Sequence, residues 1–399
     1  MTSVCFYFQV HQPMRLRRIH ALNAPQDFDY WDHAKNQAIL DRVARKCYFP
    51  TNALLRELIE QHDGWFRVAF SLSGVFLEQC ERYRPDVLRS FQDLVATGHV
   101  EILDETYYHS LAGLWEDQAE YRDQIDEHRK IVKRLFGVTP RTFRNTELIY
   151  DNRIARTIEG LGYDAIMTEG TEKILGDRPP TRLYRPARDG ASLKVLLKHY
   201  RLSDDVAFRF SNHNWNEFPL TADKYAGWLA NTPGDTINLF MDYETFGEHQ
   251  WPETGVFDFL RHLPREVAKH PHLGFALPHE VAERYEATDT IEVPNAISWA
   301  DTERDVSAWL HNPMQHKCFE TLRRLAAPVR ASRDPELVHA WRLLQTSDHL
   351  YYCCTKFFGD QDIHTYFSPY DSPYVAFANY MNVLESLAAK AKERVPAYA

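Results

Sequence analysis

The chain has 399 residues, a formal net charge of −10 and a hydrophobic share of 44%. Its length and composition are those of a globular protein with a substantial core, either one large α/β barrel with an appendage or two ordinary domains. The acidic balance, with no block of Lys and Arg interleaved with aromatic residues, argues against a nucleic-acid partner. No run of about eighteen apolar residues and no leader-type segment occurs, so we expect a cytoplasmic protein without a membrane partner.

Short apolar runs alternate with helical patterns from the first residues onward. Strands are predicted at residues 4–10, 66–72, 98–109, 142–150, 164–168, 193–199 and 236–241. Helices are predicted at residues 51–62, 85–96, 116–136, 204–210 and 220–231, with another directly after residue 150, and loops at 11–40 and 171–190. Strands that alternate with helices pair in parallel under a helical cover. We therefore predict an α/β protein with an irregular or incomplete barrel of seven strands.

Beyond about residue 313 the pattern is helical. Helices are predicted at residues 314–327, 335–347 and 372–389, and a loop rich in Tyr, Phe and Asp at 348–370. We predict a catalytic barrel over residues 1–295 and a helical region over 296–399 that completes the active-site cleft. The aromatic residues of 346–352 pack the helices against the barrel or line the cleft, and Asp348 is the candidate to face it.

Aromatic residues and cysteines give two weaker indications. Aromatics make up 13% of the chain, which suits a sugar-binding cleft because rings stack against pyranose faces, although the same enrichment also fills a core. The six cysteines have no metal-type spacing, so we expect reduced and mostly buried thiols.

The most informative stretch is 235–251, in which an apolar run ends abruptly at two carboxylates, Asp242 and Glu244. Alternation along a strand would place both on one face. Two other predicted strands carry Glu147 and His109 toward their carboxyl ends. In a (β/α) barrel these ends form one rim, where active sites are found, so we expect these side chains to line a common site.

Carboxylates beside aromatic rings suit hydrolysis or transfer at an acetal centre. One carboxylate attacks, and a second carboxyl, held protonated, protonates the leaving oxygen. Glu147 is the candidate nucleophile, because its strand is apolar and Arg144 is near enough in sequence to help keep it ionised. Asp242 is the candidate acid/base, because Glu244 and ring-lined surroundings would raise its pKa. Two carboxyls about 5–5.5 Å apart would indicate retention and about 6.5–9.5 Å inversion, a distance that the sequence leaves open.

Five motifs that occur in order give the chain a resemblance to glycoside hydrolase family 57, in its α-amylase-like branch. They span about three quarters of the chain. They are His11-Gln-Pro13, Gly98-His-Val-Glu101, Arg144-Asn-Thr-Glu147-Leu-Ile-Tyr150, Met241-Asp-Tyr-Glu-Thr-Phe-Gly-Glu-His249 and Ser298-Trp-Ala-Asp-Thr-Glu-Arg-Asp-Val-Ser-Ala-Trp309. The first motif alone would be weak, whereas the ordered set is specific.

The resemblance implies an irregular (β/α)7 barrel with a C-terminal α-helical bundle packed against it, and retaining chemistry on α-1,4-linked glucans. It implies Glu147 as nucleophile, Asp242 as acid/base, no obligatory metal and no cofactor. The substrate would be an α-glucan or maltooligosaccharide, and the oligomeric state stays open. The residues that it implies for substrate binding are His11, Glu101, Glu244, Trp299, Asp305 and Trp309.

Two features depart from the wider family. Its third motif often carries Trp before the Glu, whereas Phe143-Arg-Asn-Thr stands here, so we expect a different wall for the nucleophile's subsite. The chain is also short for the family and shows no appended sugar-binding module, which favours soluble glucans over granular starch.

Three alternatives to an α-glucan hydrolase stay open. A metal-dependent carbohydrate deacetylase or mannosidase-like hydrolase would use zinc ligands, although no tight spacing such as H-E-x-x-H occurs. Its candidate ligands are His11, His109, Asp242 and His249. A non-catalytic glucan-binding protein would keep the cleft without turnover. A 4-α-glucanotransferase or branching enzyme of the same family would differ only in whether water or a sugar hydroxyl attacks the intermediate.

Overall fold

The computed structural model describes residues 1–20, 23–356 and 368–394. Its strands are β1 Thr2–Val10, β2 Val68–Leu72, β3 Val100–Leu103, β4 Thr142–Arg144, β5 Ala165–Glu169, β6 Tyr184–Pro186, β7 Lys194–Lys198, β8 Thr236–Asp242, β9 Leu273–Phe275 and β10 Asp289–Ile291. The predicted loop at 348–370 lies partly outside the described residues, as does the end of the helical region.

Seven parallel strands of the described chain form a nearly closed barrel in the order β1-β2-β3-β4-β5-β7-β8. The strand β1 is central, because it pairs with β2 on one side and with β8 on the other. Two joins of the ring have a single paired position each. One is the bridge between Asp104 and Phe143, which connects β3 to β4, and the other is the pair between β7 and β8. The predicted irregular (β/α)7 barrel is confirmed.

Helices cover the barrel and form the C-terminal region. They are α1 His33–Val43, α2 Phe49–Gln61, α3 Gly74–Tyr83, α4 Pro85–Val95, α5 Ala119–Phe136, α6 Asn152–Gly160, α7 Glu172–Leu175, α8 Tyr200–Ala207, α9 Ala222–Ala230, α10 Val256–Val267, α11 Pro278–Arg284, α12 Pro313–Ser332, α13 Pro335–Leu343, α14 Ser347–Tyr351 and α15 Pro373–Arg394. The predicted C-terminal helical region is thus present. No described helix is long and apolar enough to cross a membrane.

Several elements differ from the sequence prediction, two of them because a side-chain cap begins a helix. The long loop predicted at 11–40 gives way to α1, whose first turn is capped by the Asp32 carboxylate accepting from Lys35 N. The helix α3 was not predicted, and it begins where Ser73 Oγ accepts from Phe76 N. Side-chain caps of this kind satisfy backbone donors that a helix start leaves open. The predicted strand at 142–150 is also shorter, since β4 ends at Arg144.

Side chains alternate between the interior of the barrel and its helical cover. Tyr7, Leu103, Met167, Leu196 and Phe240 belong to one apolar cluster inside the ring. Their neighbours along the strands belong to the larger core between strands and helices. This alternation follows from the period of two along a strand. All six cysteines are free and buried, as the sequence predicted.

The helical region is fastened to the barrel beside the rim. Thr346 Oγ1 donates to Tyr108 O at 3.0 Å, and Ser347 N donates to His109 O. Ser110 and Thr346 form an antiparallel bridge at the same place. These contacts bring the start of α14 against the loop that follows β3, so both regions contribute side chains to one cleft.

Candidate active site

The Glu147 side chain stands on a strained turn at the rim. After β4, residues Thr146–Leu148 make one 3₁₀ turn, and Glu147 has φ 57° and ψ 24°. A non-glycine residue in this left-handed region costs free energy and is typical of functional sites. Asn145 Nδ2 fixes the turn by donating to Ile149 O at 2.9 Å. The sequence prediction that Glu147 lies within a strand was therefore wrong, while its place at the rim is as expected.

Three donors surround the Glu147 carboxylate. The Glu147 side chain is 17% exposed. Trp299 Nε1 donates to Oε2 at 2.7 Å. His109 Nε2 and Ser347 Oγ lie 3.3 and 3.2 Å from Oε1. Burial alone would raise the pKa of Glu147, but the contacts with His109, the Arg144 charge and the Trp299 hydrogen bond outweigh it and lower that pKa. Glu147 is thus held as an anion.

His109 is held between two carboxylates. Its Nδ1 lies 2.8 Å from Glu105 Oε2, on the side opposite Glu147. Glu105 is fully buried, and Ser71 Oγ donates to its other oxygen at 2.7 Å. Burial opposes a charged imidazole, yet Glu105 and Glu147 together raise the pKa of His109 to about 9. The ring is therefore an imidazolium at neutral pH.

Arg144 supplies a second positive charge beneath the rim. Its side chain is fully buried inside the barrel, with Cζ 4.8 Å from the centre of the Phe240 ring. Its charge lowers the pKa values of Glu147 and Asp242. None of its side-chain nitrogens has a hydrogen-bond partner among the described residues. Its contribution to the site is a field rather than a contact.

Asp242 ends β8 and is partly exposed at the same rim. Burial and then the negative charge of Glu147 raise its pKa to about 7. The neighbour responsible is Glu147, whereas the sequence had pointed to Glu244. A carboxyl group with this pKa can hold a proton at neutral pH and give it to a leaving group.

Glu244 lies one turn beyond β8 rather than on it. Residues Tyr243–Thr245 form a 3₁₀ turn, so the predicted strand alternation with Asp242 does not apply. Tyr48 Oη and Gln12 Nε2 both donate to Glu244 Oε1. Tyr48 itself is the last residue of a π-helical turn, Ala44–Tyr48, and such turns frequently mark functional sites. Burial and the Asp242 charge raise the pKa of Glu244 to about 8.

The His11 ring stacks on the His109 ring, with 4.1 Å between centroids. His11 Nδ1 lies 2.6 Å from Ser73 Oγ, and Nε2 lies 3.0 Å from Asp348 Oδ2. Burial and the His109 charge lower the pKa of His11. His11 is thus neutral at pH 7, accepting from Ser73 and donating to Asp348, whose side chain is 23% exposed to the cleft.

The loop with the last motif contributes one aromatic residue directly. Trp299 is partly exposed, and its ring meets the Phe240 ring at a centroid distance of 5.0 Å while its N–H holds Glu147. Trp309 is only 2% exposed and packs against Tyr351, so it presents no open face for stacking. Asp305 Oδ1 accepts from Ser307 N at 2.8 Å, within its own loop.

The structure brings Glu105 to the site instead of Glu101. Glu101 is the second residue of β3, and its Oε2 accepts from His279 N and Nδ1 at 3.0 and 2.9 Å. Glu105 lies four residues later, at the rim. The sequence predicted one strand over 98–109 with both residues on one face, whereas β3 ends at Leu103 and Glu105 follows it.

Sequence reasoning did not name Ser347 at all. It placed His109 at the rim but considered its role only as a possible zinc ligand. Asp348 had been identified as a candidate to face the cleft. Their convergence with Glu147 depends on the contact between α14 and the loop after β3, which joins positions more than two hundred residues apart. The polar run Thr346-Ser-Asp-His349 before an aromatic pair was the available signal.

The geometry does not favour the zinc alternative. The four ring nitrogens of His11 and His109 already face Ser73, Asp348, Glu105 and Glu147. Among the described residues, no group of three or more His, Cys, Asp or Glu side chains is arranged to hold a metal ion.

Comparisons with known proteins agree on one family. The family model "Glycosyl hydrolase family 57" matches residues 5–294. The protein named "Putative alpha-amylase" of Methanocaldococcus jannaschii is 49% identical over 392 residues, covering 96% of this chain and 83% of that protein. A branching enzyme of Thermococcus kodakaraensis has a similar structure, with TM-score 0.70, 14% identity and coverage of 100% of this chain and 92% of that one. The 4-alpha-glucanotransferase of Thermococcus litoralis has TM-score 0.70 and 14% identity, over 96% and 60% of the two chains.

Proposed function

The chain belongs to glycosyl hydrolase family 57 and is a glycoside hydrolase, and from this premise we propose that it is a retaining α-glucan hydrolase of the α-amylase type. It cleaves α-1,4-glucosidic bonds through a covalent glycosyl-enzyme intermediate. The observation that carries the proposal is the opposite state of two interacting carboxyls. Glu147 has a lowered pKa, and Asp242 a pKa raised to about 7 by burial and by Glu147. This division of roles is what a nucleophile and an acid/base require.

In the first step, a Glu147 oxygen attacks the anomeric carbon. The bond from that carbon to the glycosidic oxygen breaks, and the Asp242 proton passes to the departing oxygen. The negative charge of Glu147 is consumed in the new ester bond, and Asp242 is left as a carboxylate. The leaving sugar therefore departs as a neutral alcohol.

In the second step, water attacks the same carbon from the side vacated by the leaving group. Asp242 takes one proton from the water, and the bond to Glu147 breaks with its electron pair returning to the carboxylate. Two inversions at one carbon give net retention, and both residues end in their starting states.

Around the two carboxyls, the cleft offers polar groups suited to sugar hydroxyls. Asp348 is a partly exposed anion, because burial is outweighed by His11, which lowers the pKa of Asp348. Glu244 is placed by Tyr48 and Gln12. We propose His11, Glu244 and Asp348 as substrate-binding groups, and the partly exposed ring of Trp299 as an apolar wall. The substrate-binding roles that the family resemblance implies for Glu101, Asp305 and Trp309 stay predictions. Glu101 accepts from His279, Asp305 accepts from Ser307 N and Trp309 packs against Tyr351.

The reaction is tested by incubating the protein with maltoheptaose and separating the products. Shorter maltooligosaccharides alone support hydrolysis, whereas longer products alongside them indicate a 4-α-glucanotransferase, the alternative of the same class. Products with new α-1,6 branch points would indicate a branching enzyme. An unchanged substrate would overturn the proposal in favour of a glucan-binding protein without turnover.

Retention is tested by following the anomeric form of the first products by NMR, before mutarotation equilibrates them. The α-anomer is expected to appear first. Initial release of the β-anomer would mean inversion and would contradict Glu147 as a covalent nucleophile. The cytoplasmic location stays a prediction, which fractionation of the source cells tests.

A further inference from the structure

The buried pair formed by Glu105 and His109 lies directly behind the proposed nucleophile. We propose that Glu105 and His109 are positioning residues that keep a permanent positive charge against Glu147, and that this charge stabilises Glu147 chiefly as the leaving group of the second step. The inference rests on the proposed function, and it concerns a part of the cycle that the two catalytic carboxyls alone do not explain.

The first argument is the inventory of protons on the ring. His109 has a carboxylate oxygen at each nitrogen, Glu105 Oε2 at 2.8 Å and Glu147 Oε1 at 3.3 Å. A neutral imidazole carries one N–H, so one of these contacts would then join two acceptors. Only the imidazolium donates to both residues. Because Glu105 and Glu147 are both held as anions, this geometry assigns a positive charge to His109.

The second argument is how firmly the ring is fixed. The His109 backbone has φ 49°, and its carbonyl accepts from Ser347 N at 2.9 Å. The ring of His11 covers one face at 4.1 Å. Glu105 is anchored by donation from Ser71 Oγ, and by Gln9 Nε2 at 3.4 Å. Neither partner can turn away without losing buried hydrogen bonds.

The third argument is the balance of charge around the ring. The charged or titratable groups that act on His109 and its partners come from every element packed there. They are His11 after β1, Glu105 after β3, His128 in α5, Arg144 and Glu147 at β4, Asp242 at β8 and Asp348 in α14. Of these, Glu147 alone loses its charge during the cycle by forming the ester, while Asp242 gains one. Glu105 therefore has to hold the proton on His109 while the ester exists.

The two chemical steps use this charge unequally. In the first step Glu147 gives up its negative charge, so stabilising that anion does not lower the barrier. In the second step the anion re-forms as the bond to the sugar breaks, and the N–H of His109 faces Oε1, one of the two oxygens that share the returning charge. Groups that meet developing charge contribute to the rate. Loss of the imidazolium should therefore slow the second step more than the first.

The test uses His109→Gln, which keeps a neutral amide donor but no charge, and an aryl α-maltooligoside with a good leaving group. We expect kcat to fall by about tenfold or more, with a clear burst of the aryl product and a lower KM, because the glycosyl-enzyme accumulates. The fall in kcat/KM should be smaller than about threefold at neutral pH. The acid limb of kcat/KM should move to higher pH, since Glu147 loses a cation that favours its ionised form.

His339→Gln is the matched control. His339 also pairs with a glutamate, Glu78, at the contact between the barrel and the helices, but it has no contact with Glu147. It should leave the burst and the acid limb unchanged. Equal losses in kcat and kcat/KM for His109→Gln, with an unmoved acid limb, would mean that His109 is merely structural and would overturn the proposal.

A measurement on the unaltered ring covers the case in which His109→Gln does not fold. His128 also has an acceptor at each ring nitrogen, Asp104 and Leu72 O. In protein with ¹⁵N-labelled histidine, a residue other than His128 should show both ring nitrogens protonated across about pH 6 to 8, and its signal should respond to Glu147→Gln. Failure to find such a residue would overturn the proposal. If instead wild-type protein does not cleave the substrate, or Glu147→Gln cleaves it normally, the proposed function fails and the inference with it.

Discussion

Glu147 and Asp242 are both carboxyl groups at the same rim, yet their surroundings shift their pKa values in opposite directions. Glu147 is met by His109, Trp299 and Ser347, all of which donate hydrogen bonds to it. Asp242 has burial and the Glu147 anion as its main influences, both of which favour its protonated form. Burial acts on both, so the donors decide which carboxyl is ionised.

The comparison shows how a site can give two carboxyl groups different protonation states. The cations Arg144 and His109 lower the pKa values of both carboxyls, but only Glu147 also accepts hydrogen bonds from three side chains. Once Glu147 is ionised, its charge raises the pKa of its neighbour. The raised pKa of the proposed acid therefore depends on the charge of the proposed nucleophile, and a change in one group should alter the other.

Glu147→Gln breaks the comparison most severely. The amide has the shape of the carboxylate but cannot attack the anomeric carbon, so turnover of maltoheptaose should fall by at least about a thousandfold with glucan binding retained. Product chromatography measures turnover, and calorimetric titration measures glucan binding. Glu248→Gln is the control, because that carboxylate is also buried but pairs with Arg42 and Lys46. Wild-type rates in Glu147→Gln would show that the nucleophile is another residue.

Asp242→Asn removes the proton donor and should lower kcat on maltoheptaose by about a hundredfold to a thousandfold. Aryl maltosides, which need little protonation to depart, should lose less. In the wild type, kcat/KM should decrease as pH rises through about 7, because Asp242 must be protonated in the free enzyme. That alkaline limb should be absent in the variant. An alkaline limb that persists unchanged would assign the acid to a different group.

Trp299→Phe tests whether a neutral donor helps to make Glu147 the anion. The phenyl ring keeps the contact with Phe240 and loses the N–H that lies 2.7 Å from Glu147. A hydrogen bond to a charged group contributes about 1.5–3 kcal/mol, so kcat should fall by about tenfold to a hundredfold. The acid limb of the pH profile should move to higher pH, because the pKa of Glu147 increases. Trp228→Phe, in α9, should change neither quantity, and an equal effect of the two substitutions would contradict the role of the indole.

Ser347→Ala is the mildest test, because its hydroxyl is one of three donors and lies 3.2 Å from Glu147. The backbone bond from residue 347 to His109 O is kept. Activity should fall by about twofold to tenfold, as for the loss of one hydrogen bond. Steady-state rates on maltoheptaose measure it, with Ser332→Ala in α12 as the control. No loss beyond that of the control would remove the helical region from the nucleophile's surroundings.

The barrel was predictable from the sequence because its strands are short apolar runs between helical patterns. The register and the turns were not. Glu147 was expected within a strand, but β4 ends at Arg144 and a left-handed turn presents the carboxylate. A residue with positive φ leaves no periodic signal in a sequence.

The two carboxyl residues of the site could be identified from the sequence, whereas the residues that contact them could not. Asp242 follows an apolar run directly and Glu147 lies in the second half of a predicted strand, so the rim position could be predicted from the pattern. Glu101 and Glu105 share a face of the predicted strand, but β3 ends at Leu103, and the contacts put Glu105 at His109 and Glu101 at His279. Trp309 was expected at the cleft and is buried against Tyr351, since an aromatic residue near carboxylates is equally suited to a core.

The bridge between Ser110 and Thr346 also fixes an order of events during synthesis. A ribosome delivers the seven barrel strands by residue 242, long before it reaches the serine that faces Glu147 or the aspartate that faces His11. A nascent chain that stops short of residue 347 can have its whole barrel and still lack both side chains. By this arrangement both contacts form only after α14 has emerged.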